Sequence, residues 1–281
     1  MALPTNILYP IDFSNRCRAV WPAVVGMASK LGAPVTLFHA LDIEQLDIEP
    51  AEQDVIRARF LEKLQHFPTP GLEVPSARRD LVQGPAAACI VDRAAMMEAP
   101  LIMLPTRGHT RYRQLLLGSV TAAVLHDTAS PVWTEAHIED KPVPTGVAHS
   151  IVCAIDMGSG TSGVLQAASE FSKHFGASLH VVHSVSGIDP RFPSGAADRA
   201  HAFLIDQARE DYPAHCRKSG VNLPLEIVEE VGLVNGIVGA IAKHDADLLI
   251  IGRGVIQGPL GRLRTNAHEL IRRSPCAVLS F

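Results

Sequence analysis

The segment Ile7-Leu8-Tyr9-Pro10-Ile11-Asp12 returns 144 residues later as Ile151-Val152-Cys153-Ala154-Ile155-Asp156. Each is a short apolar run closed by an aspartate. At the same offset, Lys30-Leu31-Gly32-Ala33-Pro34-Val35-Thr36-Leu37-Phe38-His39 faces His174-Phe175-Gly176-Ala177-Ser178-Leu179-His180-Val181-Val182-His183. Helix end, glycine stop, strand and terminal histidine recur in order. Further on, Val82-Gln83-Gly84 answers Val231-Gly232, and Ala99-Pro100-Leu101-Ile102-Met103-Leu104 answers Ala246-Asp247-Leu248-Leu249-Ile250-Ile251. Last, Ser130-Pro131-Val132-Trp133 answers Cys276-Ala277-Val278-Leu279. Chance similarity does not stay in register across five elements, so the chain is a tandem repeat. Its 281 residues leave room for two cores of ordinary size. The break falls between Glu135 and His149, where Pro142, Pro144 and Gly146 interrupt a stretch of mixed charge without periodicity. The expected domains are residues 1–140 and 148–281.

Within the first copy, apolar runs and helical patterns alternate. Strands are expected at 6–11, 34–40, about 73–82, 100–104 and 131–135, and helices at about 15–31, 50–66, 86–98 and 119–128. The strands are continuous apolar runs, as required when helices cover both faces of a parallel sheet. Gly32 and Gly176 stand where a helix needs a left-handed stop. Strand–helix alternation of this kind predicts an α/β fold, an open and doubly wound parallel sheet in each copy. Such sheets bind ligands beyond the C-terminal strand ends, where the strand order reverses. The loops after the first and fourth strands are therefore the ones to search.

Composition narrows the partners. A net charge of −4 gives no cause to expect nucleic acid or an anionic membrane surface. No apolar run reaches the roughly 18–20 residues of a membrane span, and the N-terminus enters a strand-like run with no basic leader pattern. The five cysteines are widely spaced and odd in number, which argues against a disulfide framework and for a reducing cytoplasm.

The loop after the fourth strand of copy one runs from Thr106 through Gly108 to Gly118, Ser119 and Val120, with Arg107, Arg111 and Arg113 and no acid between. Gly118-Ser119 opens a helix, with Ser119 expected as its N-cap. A helix start carries free N–H groups and about half a positive charge, and glycine lets an anion approach the backbone. This is an anion cradle. It is not a Walker A loop, because no Gly-Lys-Ser/Thr occurs. In copy two the corresponding loop reads Gly252-Arg253-Gly254 and then, after nine residues, Arg264-Thr265. There an arginine side chain replaces the last glycine.

These residues carry a resemblance. The universal stress protein family has G-x2-G-x9-G-[ST] at this place, followed by a helix and a Pro-Val strand. Copy one has Pro105-x2-Gly108-x9-Gly118-Ser119 and later Pro131-Val132, departing only at Pro105, which lacks an N–H. The opening Ile7 to Ser14 and the run His39-Ala40-Leu41-Asp42 resemble that family too. The resemblance implies an adenine nucleotide alpha hydrolase-like fold in two tandem five-stranded sheets. Their last strands would pair into an intrachain pseudo-dimer, with a further homodimer left open. It implies ATP, ADP or another adenine nucleotide as ligand, with or without Mg²⁺. Asp12, with Pro10 and Ile11 beside it, would reach the ribose or adenine, and Ala40 and Leu104 would line the adenine slot. Gly108, Gly118, Ser119 and Val120 would cradle the phosphates. In copy two Asp156, Gly254, Arg264 and Thr265 hold the matching positions.

Plainer readings stand beside these. Asp12 and Asp156 are also the residues to cap the following turn, and His39 and His183 are more simply packed than catalytic. Cys17, Cys153 and Cys276 read as small core residues. There are 13 histidines but no His-x3-His or His-Glu-x2-His pattern for a metal, and no nucleophile elbow. No paired carboxylates stand out for acid–base work. A regulatory protein that binds nucleotide with little or no turnover is the leading expectation. A nucleotide-free stress-signalling scaffold is the alternative.

Overall fold

The computed structural model describes residues 2–43, 49–71, 77–106, 117–135, 147–187, 195–254 and 265–281. The chain divides into two compact units, one holding Pro4–Glu135 and the other Ala148–Phe281.

The first unit begins with β1 (Asn6–Pro10), whose last four residues are buried. Ser14 ends the connection and caps α1 (Asn15–Leu31), its Oγ accepting from the Cys17 N–H at 3.3 Å. Gly32 stops α1 at φ 61°, and its N–H bonds the Ala28 and Ser29 carbonyls, the left-handed closure expected of a glycine there. Then follow β2 (Val35–Leu41), α2 (Pro50–Gln65), β3 (Ala77–Gln83), α3 (Ala86–Ala95), β4 (Pro100–Leu104), α4 (Ser119–Asp127) and β5 (Val132–Thr134). The sheet order is β3-β2-β1-β4-β5, and all four pairings are parallel. The chain winds outward from β1 to β3, then crosses back to lay β4 on the other side of β1. That reversal leaves a gap between the connections that follow β1 and β4.

The second unit repeats the plan: β6 (Ser150–Ile155), α5 (Thr161–Phe175), β7 (Ser178–Ser186), α6 (Gly195–Ser219), β8 (Leu225–Glu230), α7 (Leu233–Lys243), β9 (Leu248–Ile251), α8 (Thr265–Arg273) and β10 (Ala277–Ser280). Its order is β8-β7-β6-β9-β10, again parallel throughout. Gly176 ends α5 at φ 71°, the counterpart of Gly32. The predicted α/β class, with an open doubly wound parallel sheet in each copy, is the observed one.

Each core lies between sheet and helices. In the first unit Ile7, Leu8, Tyr9, Leu37, Phe38, Leu101, Ile102 and Trp133 are essentially solvent-free. The Tyr9 hydroxyl keeps its hydrogen bond inside by donating to the Cys17 carbonyl at 2.6 Å. Central parallel strands have no solvated face, so they read as continuous apolar runs. No helix among the described residues is long and apolar enough to cross a membrane.

Candidate functional site

Both units carry a cavity at the switch point. In copy one it measures about 210 Å³ and is lined by Pro10, Ile11, Asp12, Ala40, Leu104, Gly118, Ser119 and Val120, with Cys17, His39, Ala86, Pro105 and Thr121. Eight of the predicted copy-one residues thus face one space. The ninth, Gly108, lies outside the described residues, as do Arg107, Arg111 and Arg113. One local expectation is corrected. Gly118, at φ −61° and ψ 144°, is the N-cap of α4, and Ser119 is its first helical residue, with no side-chain cap bond. That extended backbone is open to any residue, so what glycine contributes is the missing side chain, which leaves room over first-turn N–H groups that have no acceptor within the helix. The neck of the loop is closed by the Gly118 N–H, which donates to the Thr106 carbonyl at 3.0 Å.

The copy-two cavity measures about 230 Å³ and is lined by Ile155, Asp156, Gly158, Ser159, Gly160, Thr161, His183, Gly252 and Gly254, among others. Asp156 and Gly254 are thus where the repeat puts them. Thr265 begins α8, and Arg264 lies outside the described residues. Leu233, Val234 and Ile237 line this cavity on the α7 side, where copy one presents only Ala86 from α3.

Around each aspartate the same local structure is built twice. Asp12 Oδ1 accepts from the Ser14 N–H at 2.9 Å, and Asp156 Oδ1 accepts from the Gly158 N–H at 2.9 Å. Both aspartates therefore shape the turn, as the plainer reading expects, while also lining the cavities. The residue after each is left-handed: Phe13 at φ 62° and Met157 at φ 58°. Side chains seldom adopt that region, at a cost of roughly 1–2 kcal/mol. Its recurrence marks a sharp turn that carries the chain from strand end to helix start. Asp12 also accepts from the Cys17 thiol at 3.0 Å, and Asp156 from the Thr161 hydroxyl at 3.3 Å. Cys17 is therefore more than the plain core residue its sequence context suggests. Buried as it is, it forms part of the cavity wall. The signal lies in the repeat, since Cys17 and Thr161 stand five residues after the paired aspartates.

The histidines match as well. The His39 Nδ1–H donates to the Ile11 carbonyl at 2.7 Å, and the His183 Nδ1–H to the Ile155 carbonyl at 2.9 Å. These bonds tie β2 to β1 and β7 to β6 just behind the aspartates. His39 is stacked on Phe60, ring centres 5.1 Å apart and 10° from parallel, with the Phe13 ring centre 4.6 Å away at 60°. Burial lowers its pKa, against the smaller raising effects of the Ile11 carbonyl and Asp12. Its Nε2 is buried without a hydrogen-bond partner among the described residues, as suits a neutral ring. A folded-state value below the ordinary 6.5 means that the native chain holds fewer protons than the unfolded one. The stabilisation is complete above the unfolded value and is lost as pH falls through it toward the lowered folded value. An NMR titration is expected to give His39 a midpoint below 6.5; a midpoint at or above it would contradict this packing.

A network invisible in the sequence anchors the copy-one loop. Glu135, at the end of β5 and 2% exposed, accepts from Arg16 Nε of α1 at 2.5 Å. It also accepts from the backbone N–H and the side chain of Thr106, at the root of the glycine loop. Burial raises the Glu135 pKa, and Arg16 and Thr106 pull it back down. In copy two the matching places hold Gly160, Phe281 and Arg253.

Two tandem parallel α/β units, each with a ligand-sized opening at its switch point, define the class of protein. The model of the universal stress protein family matches residues 4–134 and again 148–280. The chain belongs to the universal stress protein family. A universal stress protein of Synechocystis is 28% identical over 130 residues, covering 46% of this chain and 42% of that protein, less than half its length. Among solved structures, a universal stress protein from Archaeoglobus fulgidus is 21% identical, with a TM-score of 0.67, and the match covers 99% of this chain and 96% of that one. A Pseudomonas aeruginosa protein of unknown function is 16% identical with a TM-score of 0.62, over 99% and 92% of the two chains. At such identities these structures speak to the fold.

Proposed function

We propose that the copy-one cavity binds ATP or a related adenine nucleotide as a regulatory ligand of a stress-response protein. What supports this is the convergence of Asp12, the slot residues Ala40 and Leu104, and the open α4 start at Gly118 and Ser119 on one cavity. An acceptor at one end, an apolar slot and free N–H groups at the other suit a nucleoside, its base and its phosphates. Turnover is little or none in this reading. The sequence has no P-loop lysine with a following Ser/Thr to hold Mg²⁺. Among the described residues no group of three metal-ligating side chains comes together. In this reading the protein works in a reducing cytoplasm, which the wide spacing and odd number of its five cysteines support.

Calorimetric titration with ATP tests the reading, together with mass spectrometry of the supernatant from heat-denatured protein. Saturable binding or co-purified nucleotide, with negligible phosphate release, is the expected result. Failure of the intact protein to bind any adenine nucleotide would leave the scaffold reading in its place.

The two copies are expected to differ. Leu233 and Val234 add bulk to the wall of the second cavity, and Arg264 replaces the last glycine of its loop. The expected stoichiometry is one ATP per chain, at a site that Gly118→Val weakens. Binding that survives Gly118→Val and disappears with Asp156→Ala would reverse the assignment.

A further inference from the structure

We propose that Cys17 is a positioning residue for Asp12, its thiol hydrogen holding the carboxylate toward the copy-one cavity. The proposal rests on the nucleotide reading for its consequence, though not for its geometry. The thiol donates to Asp12 Oδ1 at 3.0 Å, and the Ser14 N–H donates to the same oxygen at 2.9 Å. Two donors meet on this one oxygen and anchor it. Copy two offers an independent instance: Thr161 makes the same bond to Asp156 at 3.3 Å, with Gly158 supplying the backbone donor. Two chemically different side chains thus perform one task at equivalent places. What they share is a donor hydrogen on the atom attached to Cβ. Both donors are buried, Cys17 at 1% and Thr161 at 2% exposure, which limits the access of water to them. Burial first, and then the charge of Asp12, push the Cys17 thiol up to about 12, which keeps its proton in place at neutral pH.

The test compares substitutions matched in shape. Cys17→Thr and Cys17→Val are near-isosteric and differ in the donor, and Cys17→Ser and Cys17→Ala add a pair that differs by the whole hydroxyl. ATP affinity is expected to stay near wild type in the threonine and serine variants. It should fall about three- to tenfold in valine and alanine, the worth of one ordinary hydrogen bond. In an Asp12→Ala background the same changes should have no further effect, because the group they orient is gone. A valine variant that binds as wild type, or a threonine variant as weak as valine, overturns the proposal. The contact is also read without nucleotide, by infrared difference spectra of wild type against Cys17→Ser. The S–H stretching band is expected at a hydrogen-bonded frequency and should move to that of a free thiol in Asp12→Ala. A band that ignores Asp12 refutes the positioning role. A band that responds, in a protein that binds no nucleotide, refutes the nucleotide reading alone.

Discussion

Gly118→Val is expected to weaken ATP binding by about ten- to a hundredfold, equivalent to roughly 1.5–3 kcal/mol. Gly118 sits at φ −61° and ψ 144°, a region open to every residue, so valine meets no backbone strain. What changes is space. A branched side chain at the N-cap of α4 stands over the N–H groups that would receive the phosphates, on the wall of the copy-one cavity. Asp12→Ala should cost a similar factor by removing a charged acceptor from the other end. That change also deletes the turn contacts of Asp12 with Ser14 and Cys17. Its urea midpoint must therefore be followed alongside its affinity, and Gly118→Val is the cleaner probe. Unchanged affinity in both variants would rule out this cavity as the binding locus.

Arg16→Ala is expected to destabilise the first unit by about 2–3 kcal/mol at neutral pH. The reason is Glu135. At 2% exposure its carboxylate has lost its water, and Arg16 is the cation placed against it, itself 28% exposed. Removing one partner of a buried pair strands the other charge. The partial exposure of Arg16 moderates the loss. The pH dependence follows from the direction of the Glu135 shift. A carboxyl whose folded pKa is raised binds its proton more readily in the native state, so it destabilises the fold as pH rises through that value. Deleting Arg16 removes a lowering influence and enlarges the shift. The penalty should be full at pH 7 and shrink as the medium is acidified toward the ordinary carboxyl value. Urea denaturation at both ends of that range measures it. Glu135→Gln should suppress most of the Arg16→Ala penalty, because no charge is then left behind. A penalty that is equal at both pH values, and unaffected by Glu135→Gln, would assign the loss to packing of the arginine stem. Because Glu135 also holds Thr106, Arg16→Ala should in addition loosen the neck of the glycine loop and weaken ATP binding modestly.

Much of this protein is local in origin and therefore legible in its sequence. The strands β1, β4, β6 and β9 are buried on both faces, which forces unbroken apolar runs. Gly32 and Gly176 occupy left-handed positions that other residues enter only at a cost. Repetition makes both signals legible twice, and the switch point of a parallel sheet then locates the two cavities. Asp12, Gly118 and Ser119 stand out because each lies at the C-terminal end of a strand or the start of a helix, positions marked in the chain itself. Contacts between remote segments leave no such mark. Arg16 and Glu135 are 119 residues apart, and neither has a neighbour in sequence that announces a buried charge. The Cys17–Asp12 bond spans only five residues, yet it depends on a left-handed turn at Phe13 that aromatic contacts with His39, Phe60 and Phe67 accompany. Strands, helices and glycine stops follow from periodicity and backbone sterics, which act over a few residues. Which side chain faces which carboxylate depends on how the sheet brings distant strand ends together, and only the folded chain decides that.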